Sequence, residues 1–236
     1  GVSFFLLSPI IVQRSGGHEA LSAHWLIIAA LYLYFSDIDR KDRLKWIVLI
    51  LASSMTHFYL LVMVLSIWAG YLLSKFFATK KIRVIILHFC ATMLLLLSVM
   101  WIVGYFVIPL GSAGGSGFGH YSMNILAPVN PMGGPATTFL NALPLVNSGQ
   151  GEGFNYLGLG LLFLGAYAFY LAIKYKAALS PLVILPLIAL VVVLYVFALS
   201  NKITFSNTII YAYDFVIVNF FGELLRSSGR MFWPAS

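Results

Sequence analysis

The stretch Glu223-Leu-Leu-Arg226-Ser227-Ser228-Gly229-Arg230-Met-Phe-Trp-Pro234 gathers two guanidinium groups, two hydroxyls and an aromatic pair. Read as helix, its two Arg lie four apart on one face and repel unless something anionic joins them. A phosphate or diphosphate does so, because guanidinium offers planar paired donors and Ser227 and Ser228 add hydroxyl donors. Phe232 and Trp233 suit the boundary between lipid head groups and chains. The plainer alternative is anchoring to anionic lipid, with Glu223 as an intrachain partner of Arg226. We favour the specific phosphate contact.

A second group is Arg14-Ser-Gly-Gly-His18-Glu19-Ala-Leu-Ser-Ala-His24-Trp25. His, Glu and His recur closely enough to invite a metal, yet a helical zinc pair needs its two His one turn apart, as in H-E-x-x-H. His18 and His24 are six apart and point to different sides, so no metal is assigned. Arg14 and His18 either meet an anionic group or belong to a helix start with Glu19 near its positive N-terminus. His57, alone among apolar residues, is either a hydrogen-bonded structural group or a functional intramembrane side chain, according to whether its surroundings open to water. His120, Glu152 and Asp214 have no partner identifiable from sequence, and each is a candidate acid or base. The glycine-rich run from Gly111 to Gly119 follows no strand and precedes no P-loop Lys, so it reads as linker rather than anion nest.

The elements that position these residues belong to a membrane. Hydrophobic residues make up 61% of the 236 and charged residues 9%, against about a quarter charged in soluble domains. The formal charge of +7 is what positive-inside orientation requires, and it gives no reason to expect nucleic acid. A single cysteine, Cys90, excludes an intrachain disulfide and reads as a small buried hydrophobe. Apolar runs cover 1–12, 20–36, 46–73, 84–110, 154–173 and 179–199, without the periodicity of a half-buried helix.

Orientation follows from Lys and Arg. Ninety consecutive positions from Val84 to Ile173 hold neither residue, while basic clusters flank that stretch. Taken as one span, 46–73 divides the fourteen basic residues seven to seven and favours no orientation. Taken as a hairpin of 46–56 and 57–73, it puts ten of them inside: Arg40, Lys41, Arg43, Lys45, Lys75, Lys80, Lys81, Arg83, Lys174 and Lys176. The hairpin is preferred. Its first arm is too short for a full crossing, so the turn near Ser53 to His57 must lie among protein or water rather than lipid. Segments 13–19, 111–153 and 200–230 then face the outside, the middle one as a flexible or irregular loop. The chain opens on half a span and stops as a new one starts, so it reads as a fragment.

Three motifs, RSGGHEALSAHW at 14 to 25, THFYLL at 56 to 61 and RSSGRMFWP at 226 to 234, resemble an uncharacterised family of bacterial multi-span proteins that looks like part of the GT-C superfamily of membrane glycosyltransferases. The resemblance implies an all-α polytopic fold, a GT-C-like helical bundle with a long extracytoplasmic loop, in the bacterial inner membrane. It implies transfer of a sugar from a polyprenyl-phosphate donor to an acceptor on the periplasmic or exterior face. Membrane lipid and the lipid-linked sugar are the partners. In that pattern an acidic residue of the first outer loop serves as general base or contact for a divalent metal, and it would lie upstream of Gly1. Arg226, Ser227, Ser228 and Arg230 are assigned to the donor phosphate, with Arg14, His18 and His57 in support. A transporter or flippase, a polysaccharide polymerase of lipid-linked glycans and a noncatalytic membrane subunit remain as rivals.

Overall fold

A computed structural model describes residues 8–14, 19–107, 117–132, 139–175 and 180–235. Within these the chain is mostly helical. The helices are α1 (Pro9–Arg14), α2 (Trp25–Tyr34), α3 (Arg40–Thr56), α4 (Phe58–Thr79), α5 (Ile82–Val103), α6 (Leu159–Lys174), α7 (Pro181–Leu199) and α8 (Val216–Leu224). One antiparallel hairpin joins β1 (Lys202–Phe205) to β2 (Thr208–Ala212). Three helices, α4, α5 and α7, are long and apolar enough to cross a membrane; Ala20–Tyr34 and α6 are shorter apolar helices. The chain divides into a helical unit, Ala20–Pro109 with Leu179–Val192, and a mixed unit, Gly1–Glu19 with Leu110–Ala178 and Val193–Ser236.

In the helical unit the charged residues before Trp46 are themselves helical. Asp39 caps α3 by accepting the Asp42 N–H at 2.7 Å, so the helix starts at Arg40 rather than at the apolar boundary. Its 17 residues reach about 25 Å at 1.5 Å per residue, most of a hydrocarbon thickness of about 30 Å. The first arm is therefore longer than hydropathy suggests. At His57 the backbone is extended, and α4 begins at the next residue. The two helices fold back on each other, since Trp46 near the start of α3 meets Tyr71 near the end of α4 with ring centroids 5.3 Å apart.

The turn needs no water to satisfy its hydroxyls. Ser53, Ser54 and Thr56 donate to the carbonyls of Leu49, Leu51 and Ala52 at 2.7 to 2.8 Å, back-bonding within their own helix. Around this hairpin, Tyr34 donates to the Val183 carbonyl at 2.7 Å and Tyr71 to the Asp37 carbonyl at 2.9 Å. Gly70 of α4 lets its neighbours come close, because a Cβ there would sit 3.4 Å from the Tyr34 ring and 3.6 Å from Leu190. Small residues serve this purpose where helices meet in lipid. Cys90, expected to be buried, is exposed on α5. On a helix fit to cross a membrane the lipid face is as apolar as the protein face, and hydropathy does not separate them.

The mixed unit departs most from the apolar runs. Of the run 1–12, residues 1–7 lie outside the described residues, as do 111–116 of the glycine-rich stretch. The run 154–173 becomes helical only at Leu159, while Phe154, Asn155 and Tyr156 are buried in irregular backbone. Segment 200–230, expected as loop, forms the β-hairpin and α8. Among the described residues, the irregular chain at 117–132 and 145–153 is packed rather than loose. Gln150, fully buried, donates to the Thr204 hydroxyl at 2.7 Å and accepts the Val146 N–H at 3.2 Å. Asn124 donates to the Ser206 carbonyl at 2.8 Å and accepts from the N–H groups of Leu126 and Ser206. Asn130 donates to the Leu143 carbonyl at 3.1 Å and accepts the Leu143 and Met132 N–H groups. Each amide ties backbone groups that have no ladder partner.

Candidate functional site

Arg226, Ser227, Ser228 and Arg230 all belong to the mixed unit, but they do not share a helical face. Helix α8 ends at Leu224, and a 3-10 helix begins at Ser228. The reason is a backbone contact: a Cβ on Gly229 would lie 2.8 Å from the Gly153 Cα and 3.2 Å from the Met123 nitrogen. Gly229 also donates to the Tyr121 carbonyl at 3.1 Å, and its own carbonyl accepts from Asn155 at 2.8 Å. A chain so held at Gly229 cannot continue the α-helix that four-residue spacing suggests.

The Gly153–Gly229 contact sets their neighbours side by side. Glu152 and Arg230 pair at 2.5 Å, with the Arg230 side chain 10% exposed and Glu152 35% exposed. Sequence reasoning named both residues without joining them, because no local spacing links positions so far apart. Ser227 and Ser228 are buried, and the Ser228 hydroxyl points to the Ala198 carbonyl at 3.5 Å. Arg226 is exposed. Of the four residues singled out from the motif, its side chain is therefore the one open to an external anion. Glu223, the intrachain partner considered for it, is exposed as well.

Helix α8 presents a distinct surface just ahead of Arg226. Val216, Phe220 and Leu224, with Ile217 and Phe221, form one continuous apolar stripe at helical spacing, and all five are exposed. Its buried side is Gly222, which lies so close under the Phe118 ring that no side chain fits there. Phe118 in turn packs on Phe197 of α7 with centroids 5.8 Å apart. One aromatic ring thus holds α8 against the last turn of a helix fit to cross a membrane. Asn219 on the polar side bonds the Asp214 carboxylate.

The other candidates are placed differently. His18 lies outside the described residues, and Arg14 closes α1. His57 belongs to the helical unit, where it ends α3 and starts α4. Its N–H donates to the Ser53 carbonyl at 3.1 Å, and its Nδ1 accepts the Tyr59 N–H at 3.1 Å. That acceptor role puts the ring proton of the neutral form on Nε2. His24 is buried at the start of α2. A buried histidine that the motifs did not flag is His88 of α5, whose Nε2 accepts from the Trp68 indole at 3.1 Å while Nδ1 meets the Thr92 hydroxyl at 3.2 Å. The indole only donates, so the proton sits on Nδ1 and is given to Thr92. The four-residue step from His88 to Thr92 within an apolar run was the available signal.

Among the described residues, no three His, Cys, Asp or Glu side chains gather as ligands for a metal ion.

These features define a mostly helical chain with three helices fit to cross a membrane, carrying a packed, polar-braced unit with one exposed arginine beside an apolar helix face. The whole chain, residues 1–236, matches the family model described as Domain of unknown function (DUF6311), and it belongs to that family. No curated protein and no solved structure matches it.

Proposed function

We propose that this chain is part of a membrane glycosyltransferase of GT-C type that takes a sugar from a polyprenyl-phosphate donor and passes it to an acceptor on the extracytoplasmic face of the bacterial inner membrane. The observation that carries the reading is the apolar stripe of α8 held at the end of α7, followed two residues later by the exposed Arg226. A nine-residue helix is far too short to cross the bilayer, and an exposed apolar stripe on such a helix suits the interface between head groups and acyl chains. Arg226 then stands at the depth of a lipid phosphate. Its planar donors match phosphate oxygens, and negative charge developing on a leaving phosphate is stabilised strongly where water is scarce. Arg230 is held by Glu152, and the buried Ser227 and Ser228 shape the loop. The basic clusters between α4 and α5 and after α6 support an outer location for segments 111–153 and 200–230.

The test is transfer of labelled sugar from polyprenyl phosphate in membranes containing the complete protein. Arg226→Ala lowers transfer at least about tenfold, the worth of a charge-assisted contact, and leaves the melting temperature unchanged. Arg230→Ala lowers both. Transfer that survives Arg226→Ala at normal expression removes the phosphate role.

A further inference from the structure

Within the mixed unit, a cleft of about 250 Å³ is lined by Phe118, His120, Asn147, Lys202, Thr204 and Ile209 among others. We infer that this cleft is a binding site for a single sugar ring bearing an anionic group, the head group of the lipid-linked substrate; the inference rests on the proposed function for its biological source and on the cleft's own chemistry for its ligand class.

Two glycines build the walls. The backbone at Gly149 runs so close beneath the His120 ring that a side chain there would displace it, which fixes the imidazole over the 148–153 turn. Gly119 has a φ of +83°, and a Cβ on it would lie 2.6 Å from the Asn201 Oδ1, so the chain before Lys202 is seated against bare backbone. The polar groups left over define the occupant. Asn147 stands at the N-terminal end of the same turn without capping it, and its Oδ1 is buried with no hydrogen-bond partner. Asn147 also lines the cleft, where an amide offers N–H donors to the oxygens of ligand hydroxyls. Lys202 supplies an exposed ammonium for an anion. The Thr204 hydroxyl, by contrast, already accepts from Gln150 and serves to hold the floor.

Phe118 and Ile209 make the remaining wall apolar. A pyranose fits this set, with hydroxyls on its rim, C–H groups on its face and one anionic substituent for Lys202. Bare phosphate would leave the apolar wall unused, and a neutral sugar would leave Lys202 unused. The volume lies below the roughly 300 to 1,000 Å³ of drug-sized ligand pockets, which limits the occupant to one ring. Phe118 is also the ring that joins α8 to α7, so the cleft adjoins the element proposed to sit at the lipid boundary.

The experiment is saturation-transfer NMR on the purified full chain in nanodiscs, with methyl glucuronide and glucose 1-phosphate as anionic probes and methyl glucoside as the neutral one. Saturable binding of at least one anionic probe, at least about tenfold tighter than the neutral probe, is expected, and whichever anion binds better identifies carboxylate or phosphate as the substituent. Lys202→Ala removes the preference, and Ile209→Trp, filling the cleft, removes binding. Absence of saturable binding in the folded wild type, or binding untouched by both variants, overturns the inference. Arg226→Ala separates it from the proposed function: it lowers transfer at least about tenfold while leaving probe binding intact, and binding without any transfer in the wild type defeats the transferase reading alone.

Discussion

In the helical unit, Trp46, Tyr71 and Trp68 pack between helices whose backbone bonds are satisfied internally, whereas in the mixed unit Asn124, Gln150 and Asn155 supply bonds that irregular backbone cannot make for itself. The same contrast holds for glycine. Gly70 allows side chains of neighbouring helices to approach at ordinary van der Waals distance, while Gly153 and Gly229 bring two backbones into direct contact. A helix tolerates the loss of one such contact because its ladder persists. Irregular chain has no ladder, so its geometry depends on a few side chains and on the absence of others.

The sharpest way to break this contrast is Gly229→Ala. Its Cβ would lie 2.8 Å from backbone that cannot swing away, and we expect a loss of about 3 kcal/mol, toward the upper end for overpacking. Limited proteolysis should show cleavage within 139–158 while α3 and α4 stay protected. Gln150→Leu comes next, at about 2 to 3 kcal/mol, because the Val146 N–H and the Thr204 hydroxyl lose a buried partner together. Thermal melting in detergent measures it, and an unchanged melting temperature would mean that the amide is dispensable. Glu152→Gln keeps the shape but removes the charge facing Arg230. With Glu152 partly exposed, the expected loss is about 1 to 2 kcal/mol, below that for a fully buried pair.

On the helical side, His88→Leu leaves the Trp68 indole without its acceptor, with an expected loss of about 1 to 2 kcal/mol and a shift in tryptophan fluorescence. His57→Ala is the smallest, at about 1 kcal/mol for a lost helix cap, and His57→Asn should restore most of it. A His57→Asn variant that melts like His57→Ala would point to a role for the imidazole beyond capping.

Much of the helical unit was legible beforehand because hydropathy reports on the solvent a helix suits, and α4, α5 and α7 are long and apolar enough to cross a membrane. The break near His57 could be sought because charge balance demanded a turn within 46–73. Its start at Arg40 could not, since the Asp39 cap places charged residues inside a helix that hydropathy begins later. In the candidate site, Arg226 and Arg230 were visible as a pair of cations, but their separation into one exposed and one buried side chain was not. That outcome depends on Gly153 and Glu152, far away in the chain.

Residue types alone determined that this chain suits a membrane, where its long apolar helices lie and which residues carry charge, because each of those is a local matter of transfer from water. Tertiary structure alone decided which polar side chains meet. Whether Arg230 faces Glu152 or an outside anion, whether Asn147 finds a partner and where α8 turns its apolar stripe depend on contacts between segments that no spacing along the sequence brings together.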